Sequence, residues 1–176
     1  MVSEGDAGVA EAATGTATST RLPAFGHHPF SGTARTRVEA SGRLALPATF
    51  KTAFVDAAIV RSGGTQCLYL MTPRAFDLVV NAIAASDPDV MLDSRKRQQL
   101  YIGSPRISVD KQSRGVLPPE LRAKGGIDGD SEVVVAGAIE RLEIWPAARY
   151  DAQQAPLVDD VDRMFDTFGG LSTDPA

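Results

Sequence analysis

The stretch "VEASGRLALPATFK" at residues 38–51 returns in a looser form as "VDKQSRGVLPPELR" at residues 109–122. At an offset of 71 residues, both phrases contain an acid, a small turn residue, an arginine, a Leu-Pro pair and a terminal base. The match resumes at an offset of 74, where "DAAIVRSG" (56–63) aligns with "DSEVVVAG" (130–137). This agreement predicts two copies of one supersecondary unit that pack as a pseudo-symmetric pair.

Each copy has the signals of a strand, a tight turn, a second strand, a short helix and a final pair of strands. In the first copy, Gly42 ends the turn, where a positive φ favours glycine. Ser113 takes this place in the second copy, so we expect its turn to be strained or differently shaped. Pro47 and Pro118 each suit the first turn of a helix. The predicted fold class is α+β, a mixed β fold with short helices.

Two helices are predicted between the copies. Thr72 as N-cap and Pro73 at the first helical position start a helix over residues 72–85. Its expected apolar face consists of Phe76, Val79, Val80 and Ile83. The segment "DSRKRQQLY" at 93–101 predicts a second, linking helix.

Length and composition limit the class of protein. The chain has 176 residues, enough for one ordinary domain or two small ones. It has no run near the roughly 18 apolar residues that span a bilayer, and residues 1–28 lack the features of a secretory signal. Their Ala, Gly, Ser and Thr bias predicts a disordered extension. Cys67, in the alternating run "CLYLM", is predicted to be a buried apolar side chain in a reducing cytoplasm.

The charge is distributed unevenly along the chain. The net charge of −4 argues against a nucleic-acid partner for the chain as a whole. Residues 31–74, however, contain six bases and two acids, whereas residues 104–148 contain six bases and seven acids. Local fields steer a polyanion more than the total charge does. The first copy is therefore the candidate nucleic-acid surface.

The lead-in to the first phrase adds a motif. Phe30-Ser31-Gly32 is followed, nine residues after its Phe, by Glu39-Ala40-Ser41-Gly42-Arg43. The second copy supplies Asp110-Lys111-Gln112-Ser113-Arg114, and "LEIW" at 142–145 resembles a closing strand. On these motifs, roughly residues 29–168 resemble the MraZ family, two-copy relatives of the AbrB/SpoVT swapped-hairpin transcription factors.

The resemblance implies an architecture of two tandem SpoVT-AbrB-like repeats that form a pseudo-symmetric double-split β-barrel. The expected segments are a disordered extension (1–28), repeat 1 (31–76), linking helices (77–103), repeat 2 (104–150) and an acidic C-terminal helix or tail (151–176).

The resemblance also implies a function. The expected protein is a sequence-specific DNA-binding transcriptional regulator of the division and cell-wall gene cluster, cytoplasmic and nucleoid-associated. It would bind short direct repeats in promoter DNA as a ring-shaped homo-oligomer. The implied DNA-contacting residue is Arg43. Two departures are Glu39 in place of the usual Asp and Ser113 in place of the second glycine; the latter points to a structural role for the second copy.

The chemistry of the first phrase is consistent with this function. An arginine on a rigid turn can donate paired hydrogen bonds to guanine O6 and N7, while neighbouring bases neutralise phosphates and fix the register. A ring raises the effective concentration of later contacts, by roughly 10²–10⁴-fold in overall avidity. The predicted DNA-binding residues are Arg43, Arg37, Arg35, Lys51 and Arg114.

Several of these residues have a simpler structural interpretation. Arg43 could pair only with Glu39 across its own turn, and Arg114, beside Asp110, is more simply structural. The run Arg95-Lys96-Arg97 is either a phosphate patch or a solvated helix face. The segment "DDVDRMFD" (159–166) either packs on a neighbouring subunit through Val161, Met164 and Phe165 or frays as a surface helix.

Catalytic and metal sites are not expected. The sequence has no nucleophile beside a base and no histidine outside His27-His28, so neither an enzyme, a small-molecule substrate nor a cofactor is predicted. The two histidines have no further Cys or His to complete a metal site. The acids of "GIDGDSE" (126–132) lack the 12-residue calcium loop and its closing Glu, so this segment is predicted to be a turn.

One other class of protein remains open. The alternative is an AbrB-like oligomeric interaction or antitoxin-type protein whose DNA binding is weak or lost. The net acidity and the imperfect second phrase favour it, whereas two full copies of the unit argue against it.

Overall fold

A computed structural model describes residues 30–168, except 65, 88, 90 and 91. The strands are β1 (Thr33–Arg37), β2 (Arg43–Ala45), β3 (Ala57–Ser62), β4 (Leu68–Met71), β5 (Arg106–Ser108), β6 (Arg114–Val116), β7 (Glu132–Ala138) and β8 (Arg141–Pro146). The helices are a 3-10 helix (Ala48–Ala53), α1 (Pro73–Ser86), α2 (Ser94–Ile102), α3 (Pro119–Gly125) and α4 (Ala147–Phe168). The predicted extension (1–28) and His27-His28 lie outside the described residues.

The strands form two antiparallel layers. Six of them make one sheet in the order β1-β7-β8-β4-β3-β5, and β2 pairs with β6 in a separate two-stranded ladder, called the ribbon below. The described strands leave β1 and β5 as open edges of the sheet, so they do not form a closed barrel. The fold is a mixed α/β arrangement with an antiparallel sheet and several short helices, which confirms the predicted class at this level.

The ribbon joins the two copies of the phrase. Leu46 N–H donates to Ser113 C=O, and Leu117 N–H donates to Gly42 C=O, both at 2.9 Å. Within the first phrase, by contrast, the strands on either side of the turn meet only at a single bridge between Val38 and Leu44. The hairpin that the turn chemistry suggested within each copy thus ends one bridge beyond its turn, and the longer pairing is between the copies.

The structure corrects one part of the sequence alignment. Val38 and Val109 are aligned positions of the two phrases. Val109 N–H donates to Asp56 C=O, and Val38 N–H donates to Ser131 C=O. Asp56 is therefore equivalent to Ser131, and the offset here is 75 residues instead of 74. The side chains agree with this register, because a slip of one residue would turn every side chain of a strand to the other face. The buried side chains of β3 at 58 and 60 then correspond to those of β7 at 133 and 135.

The main core lies between the ribbon and the large sheet. It contains inward-facing residues of both layers, together with aromatic residues next to the 3-10 helix. Phe30 stacks on Phe54 with ring centroids 5.4 Å apart and meets Phe50 edge-on at 6.2 Å. Other members are Val38, Leu44, Leu46, Leu68, Leu70, Val109, Leu117, Leu142 and Ile144. Because both phrases contribute to one core, neither buries its apolar face alone.

The linking helices begin where the sequence predicts. Thr72 Oγ1 accepts from Ala75 N–H at the start of α1, and Asp93 caps α2 through Arg95 N–H and Lys96 N–H. The buried residues of α1 are Phe76 and Val80, which pack with Ile59 and Met71 on the outer face of the sheet. Val79 is 36% exposed, so its place on the expected apolar face is only marginal. Cys67 is fully buried, as predicted.

The last helix, α4, covers the described part of the segment that was predicted to be an acidic helix or tail. Its first turn packs on the sheet through Ala147, and Tyr150 meets Trp145 edge-on. From Leu157 to Thr167 the described side chains are exposed. Within the described part of the chain, no helix combines the length and apolar character needed to cross a bilayer.

Candidate nucleic-acid interface

The outer face of the ribbon brings together the arginines of the two phrases. Arg43 lies opposite Val116, and Arg114 lies opposite Ala45. Between them, Leu44 faces Gly115 on the inner side, toward the core. Arg43 and Arg114 are therefore diagonal neighbours on one face, at a typical Cα separation of roughly 7–8 Å. The predicted DNA surface lay mainly in the first copy, with Arg114 as the one predicted residue from the second.

Among the described residues, the first turn makes no hydrogen bond or ion pair with the side chain of its arginine, Arg43. Gly42 N–H donates to Glu39 C=O at 2.8 Å, and Glu39 N–H donates to Arg43 C=O at 2.9 Å. Gly42 has φ +82°, as the sequence predicted for this position. Among the described residues, the guanidinium of half-buried Arg43 and the carboxylate of Glu39 have no hydrogen-bond or ion-pair partner. The alternative that Arg43 only pairs with Glu39 is therefore wrong.

The second turn has the same backbone but a different side-chain arrangement. Ser113 N–H donates to Asp110 C=O at 2.8 Å, and Ser113 has φ +60°, so serine adopts here the conformation that favours glycine. The carboxylate of Asp110 accepts from the N–H groups of Gln112 and Arg114 and from Arg114 Nε, each at 2.9 Å. Arg114 is thus held by its own turn, as the simpler interpretation predicted.

These hydrogen bonds lower the pKa of Asp110. The largest cause is the hydrogen bond from the backbone N–H of Arg114, followed by those from the Arg114 side chain and the Gln112 N–H. The charge of the Arg114 guanidinium acts in the same direction. Hydrogen bonds to the charged form of a carboxyl favour that form. Asp110 is therefore a turn cap in its ionised state.

Arg122 is a further cation at the first turn and was not among the predicted site residues. Its Nε donates to Leu117 C=O at 3.3 Å, and its side chain lies over Gly42. A Cβ atom on Gly42 would lie 2.8 Å from that Nε and 3.1 Å from the same carbonyl oxygen. The signal in the sequence was the terminal base of the repeated phrase, where Arg122 aligns with Lys51.

The remaining predicted residues lie on two other elements. Arg35 and Arg37 point to the same exposed side of β1. Arg35 forms an ion pair with Asp151 at the start of α4, and the hydrogen bond from this pair raises the Arg35 pKa. Arg37 donates to the carbonyl oxygen of Asp130 at 2.5 Å. Lys51 is exposed on the 3-10 helix.

The loop before β7 supports the first turn. Residues 128–131 form a turn in which Ser131 Oγ donates to Asp128 C=O at 2.6 Å, as predicted for "GIDGDSE". A Cβ atom on Gly129 would lie 3.0 Å from Ala40 Cα, so the two turns are in close contact. This contact and the Arg122 side chain restrict the position of the segment that leads into Arg43.

The fold and this surface together define a mixed α/β protein whose basic site lies on a two-stranded ribbon. A family model described as "MraZ protein, putative antitoxin-like" matches residues 100–168. Curated proteins named "Transcriptional regulator MraZ" are similar over most of the chain. The Cutibacterium acnes protein is 30% identical over 134 residues, which are 74% of this chain and 93% of that protein.

Two further relatives of the same name give a consistent result. The Thermobifida fusca protein is 33% identical over 71% of this chain and 88% of its own length. The Saccharopolyspora erythraea protein is 35% identical over 69% of this chain and 83% of its own length. The chain belongs to the MraZ family.

Gly42→Ala is expected to destabilise the protein more than Gly32→Ala. Both glycines have φ near +80°, which costs an L-residue about 1–2 kcal/mol. A Cβ on Gly32 would have no heavy atom within 4 Å, whereas one on Gly42 meets Arg122 and the Leu117 carbonyl. Urea unfolding of both variants measures the difference, and equal losses of stability would contradict the contact at the first turn.

Asp110 is expected to titrate below the ordinary aspartate value of about 3.9. Because its folded pKa is lowered, the stability that it contributes is present above the unfolded pKa and is lost as the pH falls through the folded pKa. Asp110→Asn should therefore lose less stability than the parent on acidification below about pH 4. Carboxyl NMR titration and unfolding at several pH values check this, with Glu39→Gln as control. A pKa at or above the ordinary value for Asp110 would refute the capping role.

Proposed function

We propose that this protein is a sequence-specific DNA-binding transcriptional regulator of the division and cell-wall gene cluster. In this proposal it binds short direct repeats in promoter DNA as a ring of identical subunits, in the cytoplasm and associated with the nucleoid. A binding role without catalysis is part of the proposal. The observation that carries it is the unpartnered guanidinium of Arg43 on the outer face of the ribbon, within the described residues.

The shape of the ribbon supports DNA as the partner. The major groove of B-DNA is wide enough for a two-stranded β-ribbon, and arginine paired to guanine O6 and N7 is the commonest base-specific contact. Arg43 has its backbone fixed by the turn and the ribbon, and its side chain gives up no protein hydrogen bond on binding. Arg114 would first have to break its ion pair with Asp110 or bind DNA and Asp110 at the same time. We therefore assign base contact to Arg43 and a secondary role to Arg114.

The other cations are proposed to contact phosphates. Lys51 and Arg122 occupy equivalent positions in the two phrases, and Arg122 lies directly against the first turn. Arg37 keeps free guanidinium donors beside its hydrogen bond to a backbone carbonyl. The ion pair of Arg35 with Asp151 is half-exposed, and such pairs contribute little stability, so it can be exchanged for a phosphate. Contacts of this kind position the protein without reading sequence.

We further propose that the chain consists of two tandem repeats, 31–76 and 104–150, in an open split-barrel arrangement. The strand order supports this, since exchanging β1–β4 with β5–β8 turns the order of the large sheet into its own reverse. The same exchange maps the ribbon onto itself. Residues 77–103 then link the repeats, with α1 beginning inside the first repeat, and 151–176 follow the second, with α4 beginning inside it.

Repetition in the DNA would match repetition in the assembly. One subunit with a few phosphate contacts binds weakly at physiological salt. A ring would present several ribbons to several direct repeats, so later contacts form at a high effective concentration. The names of the curated relatives support regulation of transcription as the outcome of this binding.

Arg43→Ala is expected to weaken binding to direct-repeat DNA by about 10- to 100-fold per contacted repeat and to reduce discrimination against scrambled DNA. Lys51→Ala should weaken both DNAs alike and lower the slope of log affinity against log salt by about one. Fluorescence anisotropy at several salt concentrations measures these effects.

Arg114→Ala is the matched control, because Arg114 lies on the same face of the same ribbon but is paired with Asp110. It should lose less affinity than Arg43→Ala. If folded Arg43→Ala binds repeat DNA as tightly as the parent, the proposal fails, and the interaction-protein alternative gains support.

A further inference from the structure

The distal part of α4 has an apolar stripe without a partner in the described structure. Leu157, Val161, Met164 and Phe165 are 47–72% exposed. Their spacing of four, three and one residues places them on one face of the helix. A helix face of this kind in a protein normally packs against another element.

The rest of this helical segment is acidic. Residues 157–168 contain four aspartates and one arginine, which give a net charge of −3. At 100° per residue, Asp160 and Asp162 lie on opposite edges of the apolar stripe. Asp160 pairs with Arg163 of the same helix, while Asp162 has no ion-pair partner among the described residues. The surface is thus apolar in the middle and negative around it.

A groove with the opposite charge lies elsewhere on the same chain. It is lined by residues of α1, α2, β3 and α3 and has a volume of about 430 Å³. Its charged lining residues are Arg61, Lys96 and Lys124, with no acid among the residues that line it. Its apolar lining residues are Ile83, Leu100 and Leu121. The groove therefore has both apolar and cationic lining residues, with a charge of +3.

The groove is held in place before any partner binds. Arg61 Nη1 donates to Ser104 Oγ at 2.9 Å and to Leu100 C=O at 3.3 Å, which fixes β3 to the end of α2. A Cβ on Gly103 would lie 3.3 Å from the same Nη1, so the backbone at Gly103 lies close to the Arg61 side chain. A preformed groove binds with a smaller entropic cost than one that must form on binding.

We propose that the acidic, apolar distal part of α4 docks into this basic groove of a second copy of the chain. The match is twofold, since the apolar stripe meets the apolar residues of the groove, and the two aspartates that flank the stripe, Asp160 and Asp162, meet its three cations. This is the helix-in-groove mode of recognition, with anchors at helical spacing. A DNA phosphate backbone would satisfy the lysines but would leave the exposed parts of Ile83 and Leu100 without an apolar partner.

The two docking surfaces are different, so the contact is heterologous. Each subunit offers one helix and one groove, and head-to-tail contacts of this kind form a ring when the rotation closes. The inference rests on the ring in the proposed function and names the surfaces that would hold it together.

The test measures assembly mass by light scattering and sedimentation at several protein concentrations. Phe165→Asp removes the helix surface, and Lys96→Glu combined with Lys124→Glu removes the groove. Each variant should assemble at least about 30-fold more weakly than the parent, as for loss of an interface hot spot. An equimolar mixture of the two should give dimers and nothing larger, because one intact helix then meets one intact groove.

Matched controls are available on the same chain. Val55 is 72% exposed, as is Phe165, and Val55→Asp should keep the parent's mass. Lys111→Glu is the corresponding charge control on an exposed turn lysine. Circular dichroism confirms that every variant is folded.

The outcomes separate this contact from the ring itself. A parent that is monomeric at every concentration overturns both the ring and the contact. A parent that assembles, with variants that assemble equally well or a mixture that forms no dimers, overturns the contact and leaves the ring. If the groove variant assembles normally but binds DNA more weakly, the groove belongs to DNA and the contact is refuted.

Discussion

The pair of hydrogen bonds that crosses between the two copies of the repeated phrase determines the rest of the structure. Leu46 N–H donates to the carbonyl of Ser113, and Leu117 N–H donates to the carbonyl of Gly42. Each turn therefore accepts a hydrogen bond from the leucine of the other phrase. Strands of only three residues gain little from pairing alone, so they depend on the leucines that the ribbon buries against the large sheet. Consequently neither phrase can present its arginine without the other.

The ribbon is symmetric in its backbone and asymmetric in its side chains. Asp110 is short enough to accept hydrogen bonds from its own turn and to hold Arg114, whereas Glu39 makes no such bond among the described residues. Gly42 leaves room for Arg122 to lie on the first turn, where a side chain on the glycine would collide with it. Glu39 thus leaves Arg43 without a partner among the described residues, whereas Ser113 lies in a turn whose arginine is already paired with Asp110.

Local features were predictable from the sequence, and partners distant in the chain were not. The starts of α1 and α2 followed from Thr72 and Asp93, because capping acts within three residues. The partner of β2 could not be derived from its own turn, because the turn does not determine which distant strand lies beside β2. The extra residue before β7 was missed because the alignment relied on residue similarity alone. The contact between Arg122 and Gly42 could not be predicted either, because it forms only when both phrases are folded together.

The claim that the ribbon reads bases through Arg43 has a direct test in the DNA. Replacing the guanines of a direct repeat with 7-deazaguanine removes the N7 acceptor and keeps base pairing. The account predicts that the parent loses affinity for this DNA, while Arg43→Ala, which has already lost the contact, binds modified and unmodified DNA alike. Equal losses for the two proteins, or no loss for the parent, would contradict it.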